Sequence, residues 1–210
     1  MAKQNPGKLS IEVAGVHLSL QLSNKSLMTQ PIRTLEEQKQ EYKRSKLLAM
    51  PIAGSIAWLI VGIGGIFLSL TAKVWVLFIA TGCIAYLGMF VSKFTGENFL
   101  DKTKPKNTFD KLFFLTVGQA LLVYSIAIPF FLVDYSSLPL TVGILTGLMW
   151  LPLTWIIDHW VGIFHAVART VLVLILWYLL PEHRFVAIPF AIVLIYMLTI
   201  AVLMNRKVMH

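Results

Sequence analysis

Four residues between positions 158 and 169 have side chains that could bind an ion or transfer a proton, although the surrounding sequence is almost entirely apolar. They are Asp158, His159, His165 and Arg169. Ionisable groups are costly inside a membrane, so they are rare there and need partners or water. We therefore expect any transport, ligand-binding or catalytic site of this protein to lie in this stretch.

A single helix through this stretch would place three of the four residues on one face. Each helical residue turns the direction by about 100°, so Asp158, His165 and Arg169 fall within about 40° of one another, and His159 points elsewhere. We predict that this face lines a polar cavity open to the cytoplasm and binds a ligand. Further candidates are one deeply placed tryptophan and three polar side chains on neighbouring spans: Trp150, Gln119, Tyr124 and Tyr86.

A purely structural interpretation of the same residues carries equal weight. Asp158 is a suitable N-cap for the following helix, and its charge suits the positive helix end. Arg169 could bond carbonyl groups and fix the helix register. Catalysis is disfavoured because HExxH, GxSxG and paired acidic motifs are missing. His159 and His165 are six residues apart, which is poor spacing for a metal, and no cofactor is expected.

Composition and hydropathy indicate an all-α membrane protein. Hydrophobic residues make up 57% of the 210 positions and charged residues 13%, against about 25% charged in a typical soluble domain. Residues 1–46 form a cytoplasmic N-terminal segment without a secretory signal peptide, 47–204 a six-helix transmembrane domain, and 205–210 a tail. The six apolar blocks, each near the roughly 20 residues that a span needs, are about 47–71, 74–92, 112–133, 138–157, 160–180 and 185–204.

Basic residues predict the orientation. Eight Lys or Arg residues precede the first span, five occupy the 93–111 loop and two follow the last span, whereas the opposite side has only Lys73 and Arg184. By the positive-inside rule both termini are cytoplasmic. The basic loops are expected to contact anionic lipid headgroups. Nucleic-acid binding is not expected, because no nucleic-acid-binding motif accompanies the charge.

The N-terminal segment has two predicted elements. Alternating apolar residues on either side of Gly15 predict a small β-hairpin, and residues 1–33 could bind a protein partner. Thr34 and Glu37 then form a capping box, which predicts a polar helix running toward Lys46 and into the first span, with a kink at Pro51.

Small residues predict where helices pack. Gly143 and Gly147 form a GxxxG pair, which favours packing within the chain and, as the minority interpretation, a homo-oligomer. Cys83 stands alone in the sequence, so no disulfide forms within one chain, and it is expected to pack as a small buried residue.

Two segments resemble a family of small, functionally uncharacterised bacterial membrane proteins. They are LEEQKQEYKRSKLLAMPIAGSIAWLIVGIGG and GLMWLPLTWIIDHWVGIFHAVART, and the resemblance covers residues from about 35 to 204. It implies six helices in a bacterial cytoplasmic (inner) membrane and no site residues. The predicted function is binding or translocation of a small or amphipathic ligand, and one version of this prediction has an anionic ligand. The alternatives are an intramembrane enzyme acting on lipid or isoprenoid substrates and an accessory subunit of a membrane complex.

Overall fold

The protein is described here by a computed structural model, which covers residues 33–99, 101, 103 and 105–206. The chain divides into two units, residues 1–35 and 36–210. The first unit, with the predicted hairpin, lies almost entirely outside the described residues. The described residues of the second unit form helices and the loops between them, and they include no strand.

Ten α-helices and two short 3-10 helices follow one another in the described chain. The α-helices are α1 Leu35–Lys43, α2 Ala49–Phe67, α3 Leu70–Gly82, α4 Ile84–Thr95, α5 Thr108–Leu122, α6 Tyr124–Val133, α7 Leu138–Gly147, α8 Trp150–Ile157, α9 Val161–Leu179 and α10 Arg184–Asn205. The 3-10 helices, Tyr135–Ser137 and Pro181–His183, lead into α7 and α10.

The prediction of apolar spans is confirmed at the level of helix length and composition. Five helices are long and apolar enough to cross a membrane, and α3 and α4 together make a sixth if this pair, bent by 49°, counts as one span. We number these spans one to six in chain order. The third is Thr108–Val133, which joins α5 and α6, and the fourth is Tyr135–Ile157, which joins α7 and α8.

Close packing of α2 on α10 forms the centre of the bundle. Two glycines of α2 allow it: a Cβ on Gly65 would overlap the carbonyl of Phe185, and one on Gly54 would overlap the ring of Tyr196. Small residues let helix backbones approach closely, which is the main source of helix association in lipid. The glycines of the first span therefore pack within the chain.

The GxxxG pair of α7 also faces the chain's own helices. A Cβ on Gly143 would lie against Ile192 and Val173, and one on Gly147 would lie against the side chain of Arg169. Both glycines are buried. A homo-oligomer stays a prediction, but this pair is already occupied by packing within the chain.

Three spans are each interrupted near their middle, at Cys83, at Val123 and at Leu148 and Met149. A hydroxyl residue bonds back into the helix at every break: Thr81 to Leu77 O, Ser125 to Leu122 O and Thr146 to Val142 O. Such back-bonding competes with the helical ladder and bends helices. Proline contributes as well, since Pro129 follows the second break and Pro152 the third, and each lacks the N–H that a helix would use.

Two local predictions are wrong. The polar helix ends at Lys43 and does not continue into the first span, because Leu47 adopts φ 57° and α2 starts separately at Ala49, with Pro51 in its first turn. Cys83 is exposed at the junction of α3 and α4 and is therefore not a buried packing residue.

A candidate binding site around Arg169

Arg169 lies in the middle of α9 with no exposed surface. Its guanidinium donates two hydrogen bonds to hydroxyl groups on two other helices, from Nη2 to Thr146 Oγ1 at 2.8 Å and from Nη1 to Tyr196 Oη at 3.2 Å. Gly147 leaves the space for the arginine side chain, since a Cβ there would lie 2.9 Å from Arg169 Cδ. The guanidinium thus joins α7, α9 and α10.

None of the acidic residues that the structure describes contacts this guanidinium. The ion pairs among the described residues involve Asp158 and Asp134, and neither reaches Arg169. The guanidinium carbon instead lies 5.2 Å from the ring centre of Trp58 and 5.5 Å from that of Tyr196, and Nε has no partner in the described structure. Within the described part of the chain, a full positive charge is therefore buried against hydroxyls and aromatic faces.

His165 lies one turn before Arg169 in α9 and is equally buried. Its Nδ1 lies 2.8 Å from Thr199 Oγ1, and Thr199 donates its own hydroxyl hydrogen to Ile195 O. Nδ1 therefore carries the hydrogen and donates it to Thr199 Oγ1, and Nε2 has no partner among the described residues. The ring stacks on Trp150 with centroids 4.3 Å apart.

A central cavity of about 50 Å³ lies beside the two hydroxyls that Arg169 contacts. Its polar lining consists of Thr81, Tyr124, Thr146 and Tyr196, and the remaining lining is apolar. One water molecule needs about 10–15 Å³, so the cavity holds a few waters or one small head group. Residues beside all three helix breaks line it: Gly82, Ile84, Tyr124 and Met149.

Hydrogen-bond donors at this cavity are distributed unevenly. Thr81 and Thr146 donate to carbonyls of their own helices, and Tyr124 lies 2.6 Å from Thr81 Oγ1, whose hydrogen is already committed, so Tyr124 is the donor. Tyr196 Oη accepts from Arg169, and its hydrogen has no acceptor among the described residues. Tyr196 can therefore present a donor, polarised by the arginine behind it, to a group in the cavity.

The alignment of Asp158 with His165 and Arg169 is wrong. The fourth span ends at Ile157, Asp158 adopts φ 48° in the left-handed region, and α9 begins only at Val161. Asp158 therefore lies outside α9 and neither caps nor extends it. Its carboxylate accepts hydrogen bonds from Lys39 at 2.9 Å and Lys43 at 3.0 Å, and these bonds lower its pKa.

The other predicted residues divide into two groups. Trp150 stacks on His165, and Tyr124 lines the central cavity, so both lie at the site. Gln119 is exposed on α5, and Tyr86 is 71% exposed on α4, so neither reaches Arg169. His159 lies in the turn before α9, where its Nδ1 accepts from Val161 N and partial burial lowers its pKa.

Four residues at the site were not predicted from the sequence: Trp58, Thr146, Tyr196 and Thr199. Tyr196 and Thr199 are three residues apart in an otherwise apolar span, so they share one helix face. That pair was a usable signal. Thr146 gave none, because a lone threonine is ordinary in a membrane helix.

The fold and the site together define a class: a bundle of helices long and apolar enough to cross a membrane, with a buried arginine beside an interior cavity. Residues 35–206 match the family described as Family of unknown function (DUF7010), and the chain belongs to that family. The predicted resemblance to an uncharacterised family is thereby confirmed, over nearly the predicted range. Neither a curated protein nor a solved structure matches the chain.

Proposed function

We propose that this protein is an integral membrane protein that binds an amphipathic anion inside its helical bundle, with Arg169 and Tyr196 as the residues that recognise the acidic head group. The proposal places it in the cytoplasmic membrane of a bacterium with both termini in the cytoplasm. The distribution of basic residues supports that orientation.

The observation that carries the proposal is the complete burial of Arg169 without an acidic partner among the residues that the structure describes. Removing a charge from water costs several kcal/mol even after the surroundings relax, and two neutral hydroxyls offset only part of that cost. Arginines inside membrane domains typically pair with a carboxylate, with backbone carbonyls or with a ligand. Here the first two are missing among the described residues, so an anion supplies the compensation.

The cavity supports the amphipathic character of this ligand. Its polar lining comes from four hydroxyl groups, of which those of Tyr196 and Thr146 contact Arg169, and the rest of its lining is apolar and includes Met50, Val117 and Leu121. A molecule with one acidic group and an apolar chain matches this lining. A strongly hydrated inorganic ion would lose its water shell against the apolar part.

Three probes separate the contributions of head and chain. Decyl phosphate has both, decanol has the chain alone, and inorganic phosphate has the head alone. With the full chain in lipid nanodiscs, decyl phosphate should raise the thermal unfolding midpoint saturably and by more than the other two combined, because a ligand that binds only the folded state stabilises it.

Two substitutions test the recognition residues. Arg169→Leu should abolish the difference between decyl phosphate and decanol, and Arg169→Lys should retain part of it, since lysine keeps the charge but loses the planar donor geometry. Tyr196→Phe should weaken decyl phosphate binding about tenfold, the loss of one hydrogen bond to a charged group. Tyr178→Phe is the matched control, because Tyr178 is 74% exposed.

Folded yield is measured for every variant by size-exclusion chromatography. Arg169→Leu is expected to fold, since replacing a buried charge by an apolar side chain is often neutral for stability. If Arg169→Leu folds and keeps the full response to decyl phosphate, the proposed site is wrong.

A further inference from the structure

Three cavities follow one face of the third span, Thr108–Val133 and the turn after it. Apart from the adjacent pair Thr116 and Val117, the residues of this stretch that line them recur every three or four positions, so they form a helical stripe, which we call the seam. The seam consists of Phe113, Thr116, Val117, Leu121, Tyr124, Ile128, Phe131 and Tyr135.

The first cavity adjoins the central one. It has a volume of about 30 Å³ and lies at the end of the bundle that carries Glu97 and the start of α2. Met50 and Met149 line both cavities, so these two side chains form the division between them. Methionine is unbranched and has three rotatable bonds, so it can move aside with little strain.

The third cavity lies toward the opposite end of the bundle, between α3 and α6. It is a groove of about 660 Å³ lined by aromatic residues that include Trp75, Phe78 and Phe131. Tyr124 and Phe78 separate it from the central cavity, with ring centroids 5.7 Å apart, and the Tyr124–Thr81 hydrogen bond holds that division in place.

The third span is also only slightly enclosed by the rest of the bundle. Only 18% of its most apolar stretch is buried, against 50% for the first and sixth spans. It is broken at Val123, at the level of the central cavity, and the second and fourth spans are broken at residues around the same cavity. Helix breaks inside a membrane occur where backbone lines a cavity, and transporters place their binding sites there.

We infer that the central cavity is the midpoint of a translocation path that runs along the seam, and that the third span moves to open it. This inference rests on the proposed function and gives the site a transport role. Apart from Thr116, Tyr124 and Tyr135 the seam is apolar, so the path suits the same amphipathic anion, with its head group passing Tyr196 and its chain following the aromatic groove.

Thiol mapping tests the path without any ligand. Cys83 is replaced by serine, and single cysteines are introduced into the full chain in proteoliposomes. An anionic, membrane-impermeant methanethiosulfonate is added from either side. Each seam position is compared with an adjacent residue that lies at nearly the same depth and faces away from the cavities. The pairs, with the seam residue first, are Thr116 and Leu115, Leu121 and Leu122, and Phe131 and Leu132.

Cysteines on the seam should react at least about tenfold faster than their neighbours, because a thiol reacts as thiolate and a lipid-facing thiol stays protonated. Thr116→Cys and Phe131→Cys should react from opposite sides of the membrane. Decyl phosphate should slow the reaction at Leu121→Cys, decanol should not, and Arg169→Leu should remove that protection. If Phe131→Cys does not fold, Ile128→Cys replaces it, since Ile128 lines the same groove.

Equal rates at seam and control positions would overturn the path. If decyl phosphate still stabilised the protein through Arg169 in that case, the central cavity would be a closed binding site without transport. If the seam cysteines react faster than their controls but Arg169→Leu leaves the response to decyl phosphate unchanged, the path is supported and the proposed anion site is wrong.

Discussion

At the scale of single residues, the position and the charge of Arg169 depend on two absences around it: a side chain at Gly147 and an acidic partner among the described residues. Gly147 has no side chain at the point where the arginine passes α7, and Thr146 and Tyr196 provide hydroxyl oxygens but no charge. The guanidinium is therefore held in one place while its charge stays uncompensated. Fixing the side chain before the ligand arrives lowers the entropy cost of binding.

Gly147→Ala should displace this arginine. The new Cβ would lie 2.9 Å from Arg169 Cδ, which is in the middle of the side chain, so the guanidinium must shift away from its two hydroxyl partners. We expect a loss of about 1–3 kcal/mol in the free energy of unfolding, the usual cost of overpacking, and loss of the decyl phosphate response.

Gly118→Ala is the control for that substitution. Gly118 also lies within a helix, but nothing is within 4 Å of the position its Cβ would take. Alanine there should leave the decyl phosphate response unchanged and raise the free energy of unfolding by about 0.5–1 kcal/mol. A Gly147→Ala protein that behaves like Gly118→Ala would contradict the account of Gly147.

Thr199 fixes the protonated nitrogen of His165, and Thr199→Val should leave that N–H unsatisfied in a buried site. We expect a loss of about 1–3 kcal/mol in unfolding free energy, measured by thermal or chemical unfolding in nanodiscs. Thr141→Val should cost less, because the Thr141 hydroxyl bonds only to carbonyls around its own helix start. Equal losses would mean that the His165 contact contributes nothing.

At the scale of elements, α1 lies across loops from distant parts of the chain. Its lysines donate to Asp158, and the side chain of Gln38 accepts from Thr108 N. Arg206 donates to the carbonyls of Lys43, the last residue of α1, and of Ser45 just after it. A polar helix of nine residues is too short to be stable alone in water. These contacts therefore hold α1 in place.

Asp158→Asn should release part of this attachment without disturbing the backbone, since asparagine tolerates the left-handed conformation at this position. Amide hydrogen exchange in residues 36–43 should become faster by up to about fivefold, the upper end for exposed ion pairs, while exchange in α9 stays unchanged. Unchanged exchange in α1 would mean that the two ion pairs do not hold it.

Acid should have the same effect as Asp158→Asn. The pKa of Asp158 is lowered in the folded protein, so its ion pairs contribute fully above the ordinary carboxyl pKa of about 4 and are lost as the pH falls through the lower folded value. The protection of the α1 amides, which is their exchange compared with the intrinsic rate at the same pH, should therefore fall below about pH 4 in the wild type and much less in Asp158→Asn.

At the scale of the whole molecule, the bent pair α3 and α4 decides the topology. If the pair crosses the membrane, the chain has six spans and both termini lie on one side, as the basic residues predict. If it enters and returns, the chain has five spans and the termini lie on opposite sides. The bend of 49° at a single residue is compatible with either arrangement by geometry alone.

We expect both termini in the cytoplasm. Fusions of a green fluorescent protein to residue 1 and to residue 210 should both fluoresce, and fusions of a periplasmic phosphatase to the same ends should both be inactive. An active phosphatase at residue 210 alone would mean that α3 and α4 form a re-entrant element. The cavity residues Gly82 and Ile84 would then lie at the tip of that element.

The sequence alone determined the apolar spans and the stretch that carries the buried charge. Both depend on composition over about 20 residues, which sets whether a helix can lie in lipid and whether an ionisable group is exceptional there. His165 and Arg169 are four residues apart within one helix, so their common face also followed from the sequence.

Only the tertiary structure decided which residues surround Arg169. Asp158 left the site because one residue in the left-handed region ended a helix, and periodicity cannot detect that change. Thr146 and Tyr196 joined it from helices 23 and 27 positions away. Such partners depend on how the helices pack against one another. Packing depends in turn on close contacts such as that of Gly147 with Arg169, and the sequence does not show which side chain will lie opposite a given glycine.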